Sequence, residues 1–597
     1  MPAAFTARPE LVGTFGMVAS THWLASAVGM AMLERGGNAF DAAVAAGFTL
    51  HVCEPHLNGP GGDIPILIYS AREDRVRAVC GQGVTPAGAT IAHYRDKLGL
   101  DLVPGTGLLA TCVPGMFDGW ATLLRDYGTM SLADVLAPAI SYAENGCPLV
   151  ARAVETIGNV RAFFEAEWPT SAALWLPGGK PPEPGRPYRN PTLAKTYARI
   201  VREASAKSGR EAQIDAARDL WYRGFVAEAI DEFCRTQAVM DTSGRRHRGV
   251  LNADDMARWH ATVEDPVKLD YGRYTAFKCG PWTQGPVLLQ QLALLRNFDL
   301  DAMDPLGPDF VHTVVECMKL AFADREGFYA DPNFVDVPLD GLLSASYNRA
   351  RAALVGERAS RELRVGTVGN HAGWVPPTER AAGPQPEFVS ATTGEPTVRR
   401  DGTTGGDTCH VDVIDRWGNM VSATPSGGWL QSSPTIPEIG FCLGTRMQMF
   451  WLDESAPTAL MPSRRPRSTL SPSFAYRDGK PYMAFGTPGG DQQDQWALTF
   501  FLRHVHHGMN LQEAIEAPAF TSEHWPNSFW PRAAKPARLL VEGRMPKATV
   551  DELKRRGHDI EVGADWSLGR LSAVTRDGDA YKAGANPRGM QGYAVGR

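Results

Sequence analysis

The sequence predicts a globular protein in which helices and β-strands are mixed. Of its 597 residues, 44% are hydrophobic and 21% are charged, which is near the average of folded proteins and excludes a disordered, collagen-like or coiled-coil chain. Helix-like and strand-like patterns alternate over residues 1 to about 150, and two later stretches have the pattern of β-hairpins. The length suits up to about four ordinary domains, or one large fold built on two big sheets.

Helices are predicted where apolar residues recur at three- and four-residue spacing. Residues 41–51 are almost all apolar, so this helix is expected to be buried. Ser131 is the expected N-cap of the helix that follows it, because its hydroxyl accepts a hydrogen bond from a free backbone N–H. The predicted helices cover residues 24–34, 41–51, 132–145, 193–205, 225–238, 309–329, 495–506 and 550–556.

Strands are predicted where short apolar or alternating runs are bounded by turn residues. Residues 64–69 form one such run, and two β-hairpins follow later in the chain. Their turns fall at the polar stretches 415–419 and 477–480. The hairpin strands are 411–414 with 421–424, and 473–476 with 482–485.

Two segments lack these periodic patterns. Residues 168–192 are rich in proline and glycine and are expected to be a surface excursion. Residues 366–407 are rich in glycine, proline and threonine and show no periodicity. Since a structureless segment of about 40 residues is uncommon in a compact chain, this second segment is expected to be a flexible linker or a terminus that is later released.

Charge and hydropathy exclude several kinds of partner. The formal net charge is −6, from 60 basic and 66 acidic residues, so no basic excess is available to neutralise nucleic-acid phosphates. No apolar run approaches the ~20 residues that cross a bilayer, so no membrane partner is expected. The first eight residues lack the basic segment and apolar core of a secretory signal, and the nine cysteines are scattered without a C-x-x-C pair. We therefore expect a reduced, cytoplasmic protein.

Common cofactor and metal motifs are missing from the sequence. It contains no phosphate-binding loop of the G-x-x-x-x-G-K-[ST] type, no H-E-x-x-H zinc motif and no G-x-S-x-G elbow. His504 and His507 would share a helix face, but no carboxylate pattern accompanies them. We therefore expect neither a cofactor nor a metal ion.

The segment 405–410, which contains Thr408, lies where the structureless stretch meets the first hairpin. A threonine at such a junction usually starts a turn. Its hydroxyl also becomes a nucleophile when a base lies close to it. The position alone leaves both roles open.

Several motifs, in the same order along nearly the whole chain, resemble those of the γ-glutamyltransferase (γ-glutamyltranspeptidase) family. The longest near the N-terminus is G-N-A-F-D-A-A-V at residues 37–44, and 408–424 are similar to the start of that family's small subunit. The other matching motifs are E-P-H at 54–56, G-P-G-G at 59–62, P-G at 114–115, Y-G-T at 127–129, Y-A-D-P at 329–332, R-P-R-S-T-L-S-P at 465–472 and G-T-P-G-G at 486–490. The sequence is therefore identified as a member of this family.

The resemblance implies an N-terminal nucleophile hydrolase of the α+β class, with a four-layer αββα sandwich. Precursors in this family cut themselves before a catalytic threonine. Here the autocleavage site would lie between Asp407 and Thr408. A large portion, 1–407, with its flexible part at 366–407, and a small portion, 408–597, would then form one αββα unit as a heterodimer. Whether two such heterodimers associate is left open.

The resemblance also implies that Thr408 is the nucleophile. A threonine freed by cleavage carries both a hydroxyl and an α-amine, and the amine has a reference pKa of about 7.7–8.0. Such an amine serves as the base for its own hydroxyl near neutral pH, so no separate histidine is needed. The expected intermediate is a threonine ester.

Further site residues follow from the resemblance position by position. Gly489 and Gly490 match glycines whose backbone N–H groups form the oxyanion hole; the alternative is a tight turn. Ser426 matches a threonine that hydrogen-bonds the nucleophile. Ser468 and Thr469 match a serine pair that binds the substrate carboxylate, although both hydroxyls would equally satisfy local backbone groups.

Cys409 and His410 follow the nucleophile and suggest a Cys/His pair. Adjacent residues of a strand point to opposite faces, so these two side chains are not expected to meet. We interpret them as packing and polar support.

Four positions depart from the family pattern. In that pattern an arginine holds the γ-glutamyl carboxylate and an aspartate holds its ammonium. By alignment, Gln82 stands at the arginine position and Met449 at the aspartate position, while Arg446 and Gly428 replace a glutamine and an asparagine. Losing one partner of a buried charge pair commonly costs ~2–5 kcal/mol, so glutamyl binding is expected to be weak. Arg446 would instead bind an anion that has no ammonium, unless it is a structural arginine. The predicted substrate-binding residues are Gln82, Gly428, Arg446, Ser468 and Thr469.

This pattern resembles the oxamate amidohydrolase branch of the family, as do residues 426–433 and 489–493. Oxamate is a carboxylate joined directly to an amide, and its hydrolysis through a Thr408 ester would give oxalate and ammonia. The alternatives are a glutathione hydrolase or γ-glutamyltransferase with rearranged anchors, an acylase that removes a larger side chain, and a non-catalytic relative that serves as a binding module.

Overall fold

Two antiparallel sheets of seven strands each are stacked at the centre of the computed structural model, which describes residues 5–378 and 408–597. The strands are β1 Leu11–Gly13, β2 Met17–Ser20, β3 Ile64–Ser70, β4 Arg75–Gly81, β5 Cys147–Pro148, β6 Pro187–Tyr188, β7 Val239–Met240, β8 Arg246–His247, β9 Thr262–Glu264, β10 Val267–Tyr271, β11 Tyr274–Lys278, β12 Thr367–Val368, β13 His371–Ala372, β14 Val411–Ile414, β15 Met420–Ala423, β16 Ser473–Arg477, β17 Lys480–Gly486, β18 Phe520–Ser522, β19 Arg538–Val541, β20 Asp559–Val562, β21 Ser572–Asp577, β22 Ala580–Ala585 and β23 Tyr593–Gly596.

Helices cover the outer faces of the two sheets. They are α1 Trp23–Glu34, α2 Ala39–Cys53, α3 Met116–Tyr127, α4 Leu132–Asn145, α5 Ala151–Glu167, α6 Pro169–Trp175, α7 Pro191–Ala204, α8 Arg210–Tyr222, α9 Phe225–Thr236, α10 Ala253–Arg258, α11 Pro286–Leu295, α12 Pro308–Phe328, α13 Leu339–Leu343, α14 Ala345–Ala352, α15 Gln493–His507, α16 Leu511–Glu516 and α17 Lys547–Arg555. Each of the eight predicted helices corresponds to one of these. Ser131 caps α4 as predicted, accepting a hydrogen bond from the Asp134 N–H at 3.1 Å.

The order of strands places the hairpin that follows Thr408 in the middle of a sheet. In the first sheet the order is β23-β2-β14-β15-β3-β4-β9, and in the second it is β1-β22-β21-β17-β16-β11-β10. Both predicted hairpins, β14 with β15 and β16 with β17, are present and antiparallel. Each sheet takes strands from both sides of residue 408, so neither sheet is complete without both portions of the chain.

Three hydrophobic cores separate four layers. One core packs α1 to α9 on the first sheet, a second packs α11, α12 and α15 to α17 on the other sheet, and a third fills the space between the sheets. In the first core, α2 is buried along its whole length, as its apolar sequence predicts. The predicted α+β, four-layer αββα sandwich is therefore confirmed.

Asp41, a polar residue of the motif at 37–44, serves this packing. Asp41, at the start of α2, accepts hydrogen bonds from the backbone N–H groups of Asn38, Thr129 and Met130 at 2.8–2.9 Å. The carboxylate thus caps its own helix and fixes the loop before α4 at the same time. The motif at 37–44 and the Y-G-T motif at 127–129 meet in space for this structural reason.

Two expectations about irregular segments are corrected. Residues 168–192 are not wholly a surface excursion, because Trp168 is buried and Pro169–Trp175 forms α6 with a buried Trp175. The prolines begin helices there, at the first position of α6 and of α7, where proline needs no N–H partner. The predicted structureless segment begins with two short paired strands, β12 and β13, while residues 379–407 lie outside the described part of the chain.

Candidate active site

Thr408 begins the described small portion and lies between two loops. Its hydroxyl is within hydrogen-bond distance of Ser426 Oγ, at 3.3 Å, and of the Gly489 carbonyl oxygen, at 3.1 Å. The residue is only 1% exposed, and it pairs with Ser426 as an isolated antiparallel bridge. The fold therefore brings together three of the four predicted catalytic residues, Thr408, Ser426 and Gly489. Asp407, the other side of the predicted autocleavage site, lies outside the described residues.

The glycine motif at 59–62 supports the loop that carries Ser426. The backbones of Asp63 and Ser426 exchange two hydrogen bonds, at 2.9 and 3.1 Å. A Cβ on Gly62 would lie 2.1 Å from the Ser426 carbonyl oxygen, so only glycine permits this approach. Gly428, a predicted substrate-binding residue, has a φ of +64° and packs against the backbone of Gly62, which is a structural reason for its lack of a side chain.

The Gly489 turn presents its carbonyl group, rather than an N–H, to the Thr408 hydroxyl. That carbonyl also accepts a hydrogen bond from the Gln493 side chain. The Gly490 N–H donates to Gln492 Oε1 at 3.2 Å. A left-handed φ of +123° at Gly489 makes the turn possible. For the Gly490 N–H to serve an oxyanion, Gln492 must first release it, so the predicted oxyanion-hole role stays a prediction.

The predicted pair Ser468 and Thr469 differs in hydrogen bonding. Ser468 Oγ accepts from the Leu470 N–H at 3.2 Å, which is the local backbone role considered above. Thr469 is fully buried, and its hydroxyl has no hydrogen-bond partner among the described residues. A buried unpaired hydroxyl is costly, so Thr469 is the better placed of the two to meet a substrate oxygen.

A buried ion pair joins the end of β11 to the start of α15 beside the site. Lys278 Nζ lies 2.9 Å from Asp494, and both side chains are 0% exposed. The same ammonium donates to the Ser471 carbonyl at 3.0 Å, and Ser471 Oγ donates to Asp494 at 2.7 Å. Burial lowers the pKa of Lys278 and raises the pKa of Asp494, while the attraction between the two charges opposes both shifts. The pair holds the loop after Ser468 against the helix that follows Gly490.

Replacing Lys278 with methionine is expected to lower the apparent free energy of unfolding by about 3–5 kcal/mol, because the Asp494 carboxylate would lose its buried counter-ion. Denaturant unfolding followed by tryptophan fluorescence measures this change. Lys547→Met is the matched control, since Lys547 pairs with Asp551 on the surface, where the two side chains are 86% and 55% exposed. The control is expected to stay within about 0.5 kcal/mol of the wild type. Equal losses in the two variants would contradict the role of the buried pair.

A second charged network supports the glycine turn from behind. Asp491 lies 2.7 Å from Arg325 and accepts from the Ser528 N–H at 2.9 Å, while Arg467 donates to Ser528 Oγ at 3.0 Å and to Glu326 at 2.8 Å. Burial alone would raise the pKa of Asp491, but the two guanidinium groups hold it below its ordinary value. Burial and the nearby Arg325 lower the pKa of Arg467 to about 10. These charges are already paired, so they fix the turn.

Arg446 lies next to the Ser426 loop but is paired with a carboxylate that sequence reasoning missed. Its Nε and Nη2 atoms donate to Asp63 Oδ1 at 3.2 and 2.9 Å. Burial raises the pKa of Asp63, and the Arg446 guanidinium and the nearby Gln82 amide oppose this shift. Asp63 Oδ2 is buried and accepts no hydrogen bond of ordinary geometry from the described residues. The signal that could have found Asp63 is its position directly after the glycine motif at 59–62.

The remaining predicted anchors carry no charge. Gln82 is buried, donates to the Gly83 carbonyl at 3.2 Å and has an unpaired Oε1. Met449 is buried in a small apolar cluster with Trp429 and Phe529. The Arg446 guanidinium lies 5.9 Å from the centre of the Trp429 ring, so this cluster forms an apolar wall beside the charged pair.

Cys409 and His410 face opposite sides of the strand, in agreement with the expectation from strand geometry. Cys409 Sγ lies 3.0 Å from Glu54 at the end of α2. His410 is buried between the sheets, where it contacts Thr424 Oγ1 and Asp412 Oδ1, each at 2.9 Å. Asp412 in turn accepts a hydrogen bond from Ser572 of the other sheet at 2.7 Å. The two residues anchor the hairpin that carries Thr408 on both of its faces.

One group among the described residues has the composition of a metal site. His312, Glu316 and His558 are buried, and their ligand atoms lie within 4.8 Å of one another. However, the Glu316 carboxylate is already 2.6 Å from Lys319 Nζ, and the two imidazoles contact each other at 2.9 Å. A second cation next to Lys319 would be repelled. We assign the group a structural role.

Among the helices of the described residues, none is long and apolar enough to span a bilayer.

Comparison with known proteins covers nearly the whole chain. The family described as Gamma-glutamyltranspeptidase matches residues 25–596. The glutathione hydrolase-like YwrD proenzyme of Bacillus subtilis is 32% identical over 98% of this chain and 99% of its own length. The oxamate amidohydrolase proenzyme of Klebsiella pneumoniae is 28% identical, again over 98% of this chain and 99% of its own.

Solved structures support the same relationship at the level of the fold. The chain named LmbA2991HD is 55% identical and superimposes with a TM-score of 0.92 over 100% of both chains. Cephalosporin acylase from Bacillus halodurans is 27% identical, with a TM-score of 0.80 over 100% of this chain and 98% of its own. These likenesses agree with the four-layer architecture described above.

Proposed function

Because the chain belongs to the gamma-glutamyltranspeptidase family of N-terminal nucleophile hydrolases, we propose that it cuts itself before Thr408 and then hydrolyses a small amide such as oxamate. The proenzymes of this family are processed into two subunits, and in this chain the subunits would be 1–407 and 408–597. The arrangement of Thr408 carries the proposal: a buried hydroxyl lies between Ser426 Oγ and the Gly489 turn, at the start of a central hairpin.

The proposed reaction uses groups of the chain alone. After cleavage, the α-amine of Thr408 takes the proton of its own hydroxyl, and Oγ1 attacks the amide carbon. The amide nitrogen leaves as ammonia after receiving that proton, and a threonine ester remains. Water then attacks the ester and restores the hydroxyl. Ser426 would orient Oγ1, and the N–H groups of Gly489 and Gly490 would stabilise the negative oxygen once Gln492 has moved.

Arg446 and Thr469 are the proposed anchors of the substrate carboxylate. The third guanidinium nitrogen of Arg446, Nη1, makes no hydrogen bond with the described residues, and the Thr469 hydroxyl is also unpaired. Met449, inside an apolar cluster, offers nothing to an ammonium group. A small carboxylate without an ammonium, as in oxamate, suits this combination.

Hydrolysis of γ-glutamyl amides is a second candidate, and one observation favours it. Asp63 and Arg446 place a carboxylate and a guanidinium side by side near Ser426, and Asp63 Oδ2 has no partner of good geometry. Together they would bind the ammonium and the carboxylate of an amino acid. A relative named glutathione hydrolase-like and one named oxamate amidohydrolase are 32% and 28% identical to this chain.

The two candidates predict different substrates. Purified, processed protein is expected to release ammonia from oxamate and to give at least ten times less release of aniline from a γ-glutamyl anilide, because the ammonium of the glutamyl group finds no dedicated partner beside Met449. Coupled ammonia detection and aniline absorbance, on one preparation, measure both rates. Faster turnover of the anilide would replace the first proposal with the second, and turnover of neither would favour a larger acyl substrate.

A further inference from the structure

Two buried cysteines, Cys53 and Cys147, meet in the first hydrophobic core. Their sulfur atoms are 2.9 Å apart, although the residues are separated by 94 positions in the chain. Both side chains are 0% exposed. Cys53 is the last residue of α2, and Cys147 begins β5, just after α4. The packing of α2 against α4 therefore brings the two thiols together.

The distance between the two sulfur atoms is shorter than an ordinary van der Waals contact. Two sulfur atoms in ordinary van der Waals contact lie more than 3.5 Å apart, and a disulfide bond needs about 2.05 Å. Less than 1 Å of movement separates the observed contact from a bond. No other pair of thiols among the described cysteines has a sulfur–sulfur contact of this kind.

We propose that Cys53 and Cys147 form a site of reversible oxidation and are joined by a disulfide when the protein meets a small disulfide oxidant. The reaction is two exchanges with an oxidant of the type R–S–S–R. One cysteine thiolate attacks the oxidant and releases one R–SH, and the second cysteine then attacks the mixed disulfide and releases the other. The products are the Cys53–Cys147 bond and two R–SH molecules, which carry away both thiol protons.

The surroundings of the pair set the rate of this reaction. Burial and the neighbouring thiol raise the pKa of Cys53 well above its ordinary value, and Glu54 and Cys409 add to the shift. The thiolate is the attacking species, so oxidation of the folded protein is expected to be slow. The same neighbours place the pair close to the nucleophile, because Glu54 follows Cys53 and contacts Cys409, which follows Thr408.

The bond would close a long loop that contains α3 and α4. Cross-linking such a loop restricts the unfolded chain, and the effect grows with loop length. The oxidised protein is therefore expected to unfold about 3 °C or more above the reduced protein. Whether Cys53 and Cys147 are reduced, as predicted from the sequence, would then depend on the thiol and disulfide concentrations around the protein and not on the spacing of its cysteines.

The test counts free thiols by mass. Wild-type protein is equilibrated for a day in glutathione buffers that range from reducing to oxidising. It is then denatured in the presence of N-ethylmaleimide, which labels free thiols, and its mass is measured by mass spectrometry. Nine adducts are expected from the reduced chain and seven from the oxidised chain, summed over both portions if it is cut. Protease digestion should then give one linked peptide pair, containing Cys53 and Cys147. Nine adducts in the most oxidising buffer, or a bond between other cysteines, would overturn the proposal.

Matched serine variants separate the pair from other buried thiols. Cys147→Ser has eight thiols and should give eight adducts in every buffer, with no oxidant-dependent change in unfolding temperature. Cys234→Ser removes a thiol that is equally buried in the same core, and it should fall from eight adducts to six. A fall of two adducts in the Cys147 variant would also contradict the assignment. The wild-type mass measurement holds even where a variant fails to fold.

Discussion

Replacing Thr408 with alanine is expected to leave a single uncut chain of 597 residues and to lower amide hydrolysis by about 10⁴-fold or more. Both effects have one cause, because the same hydroxyl attacks the preceding peptide carbonyl during maturation and the substrate carbonyl during turnover. Intact mass spectrometry of the wild type should show two portions, of 407 and 190 residues, and only the full chain in the variant.

Two conservative variants sharpen this result. Thr408→Ser keeps the hydroxyl and is expected to be cut, more slowly, because the lost methyl group no longer fixes the rotamer. Ser426→Ala keeps the nucleophile but removes the hydroxyl that lies 3.3 Å from Oγ1. The precursor should therefore still be cut, and the processed enzyme should hydrolyse its substrate at a reduced rate. An alanine variant that is cut before residue 408 would show that another group is the nucleophile. An uncut wild type would bring the non-catalytic alternative forward.

The parts of the fold that local patterns dictate were predictable. The hairpin of β14 and β15 is predictable from alternating residues around a polar turn, and α4 from its helical pattern with Ser131 as the cap. The four-layer order was not available from periodicity, because neither sheet has strands that are neighbours in sequence throughout. It required the resemblance to a family of known fold.

The site was predictable where motifs are local and not where charges meet across the chain. Thr408, Ser426 and Gly489 lie in three motifs, and the structure brings them within 3.3 Å of one hydroxyl. Asp63 was missed because its partner Arg446 is 383 positions away, and no spacing rule connects them. The error at 168–192 had a different origin, since proline begins a helix as readily as it ends one.

Replacing Arg446 with methionine is expected to reduce kcat/KM for oxamate by about 30-fold to 10³-fold, which corresponds to about 2–4 kcal/mol for one lost anchor of a substrate carboxylate. The loss should fall mainly on KM, because the guanidinium grips the carboxylate both before and during the reaction. Steady-state kinetics with the processed enzyme separate the two constants. Arg446→Lys is not expected to restore binding, since an ammonium cannot reproduce a planar guanidinium.

The pairing of Arg446 with Asp63 makes the single variant ambiguous, because it also leaves Asp63 buried without a counter-ion. The double variant Arg446→Met/Asp63→Asn removes both charges. If it still hydrolyses oxamate more slowly than the wild type, the cause is the missing anchor and not an unpaired buried carboxylate. Asp63→Asn alone should preserve oxamate hydrolysis, because the guanidinium is then released from its partner. If Asp63→Asn abolishes activity with a γ-glutamyl amide but spares oxamate, Asp63 is the ammonium anchor of the second candidate function. If it spares both, Asp63 is needed for neither reaction and is not the ammonium anchor.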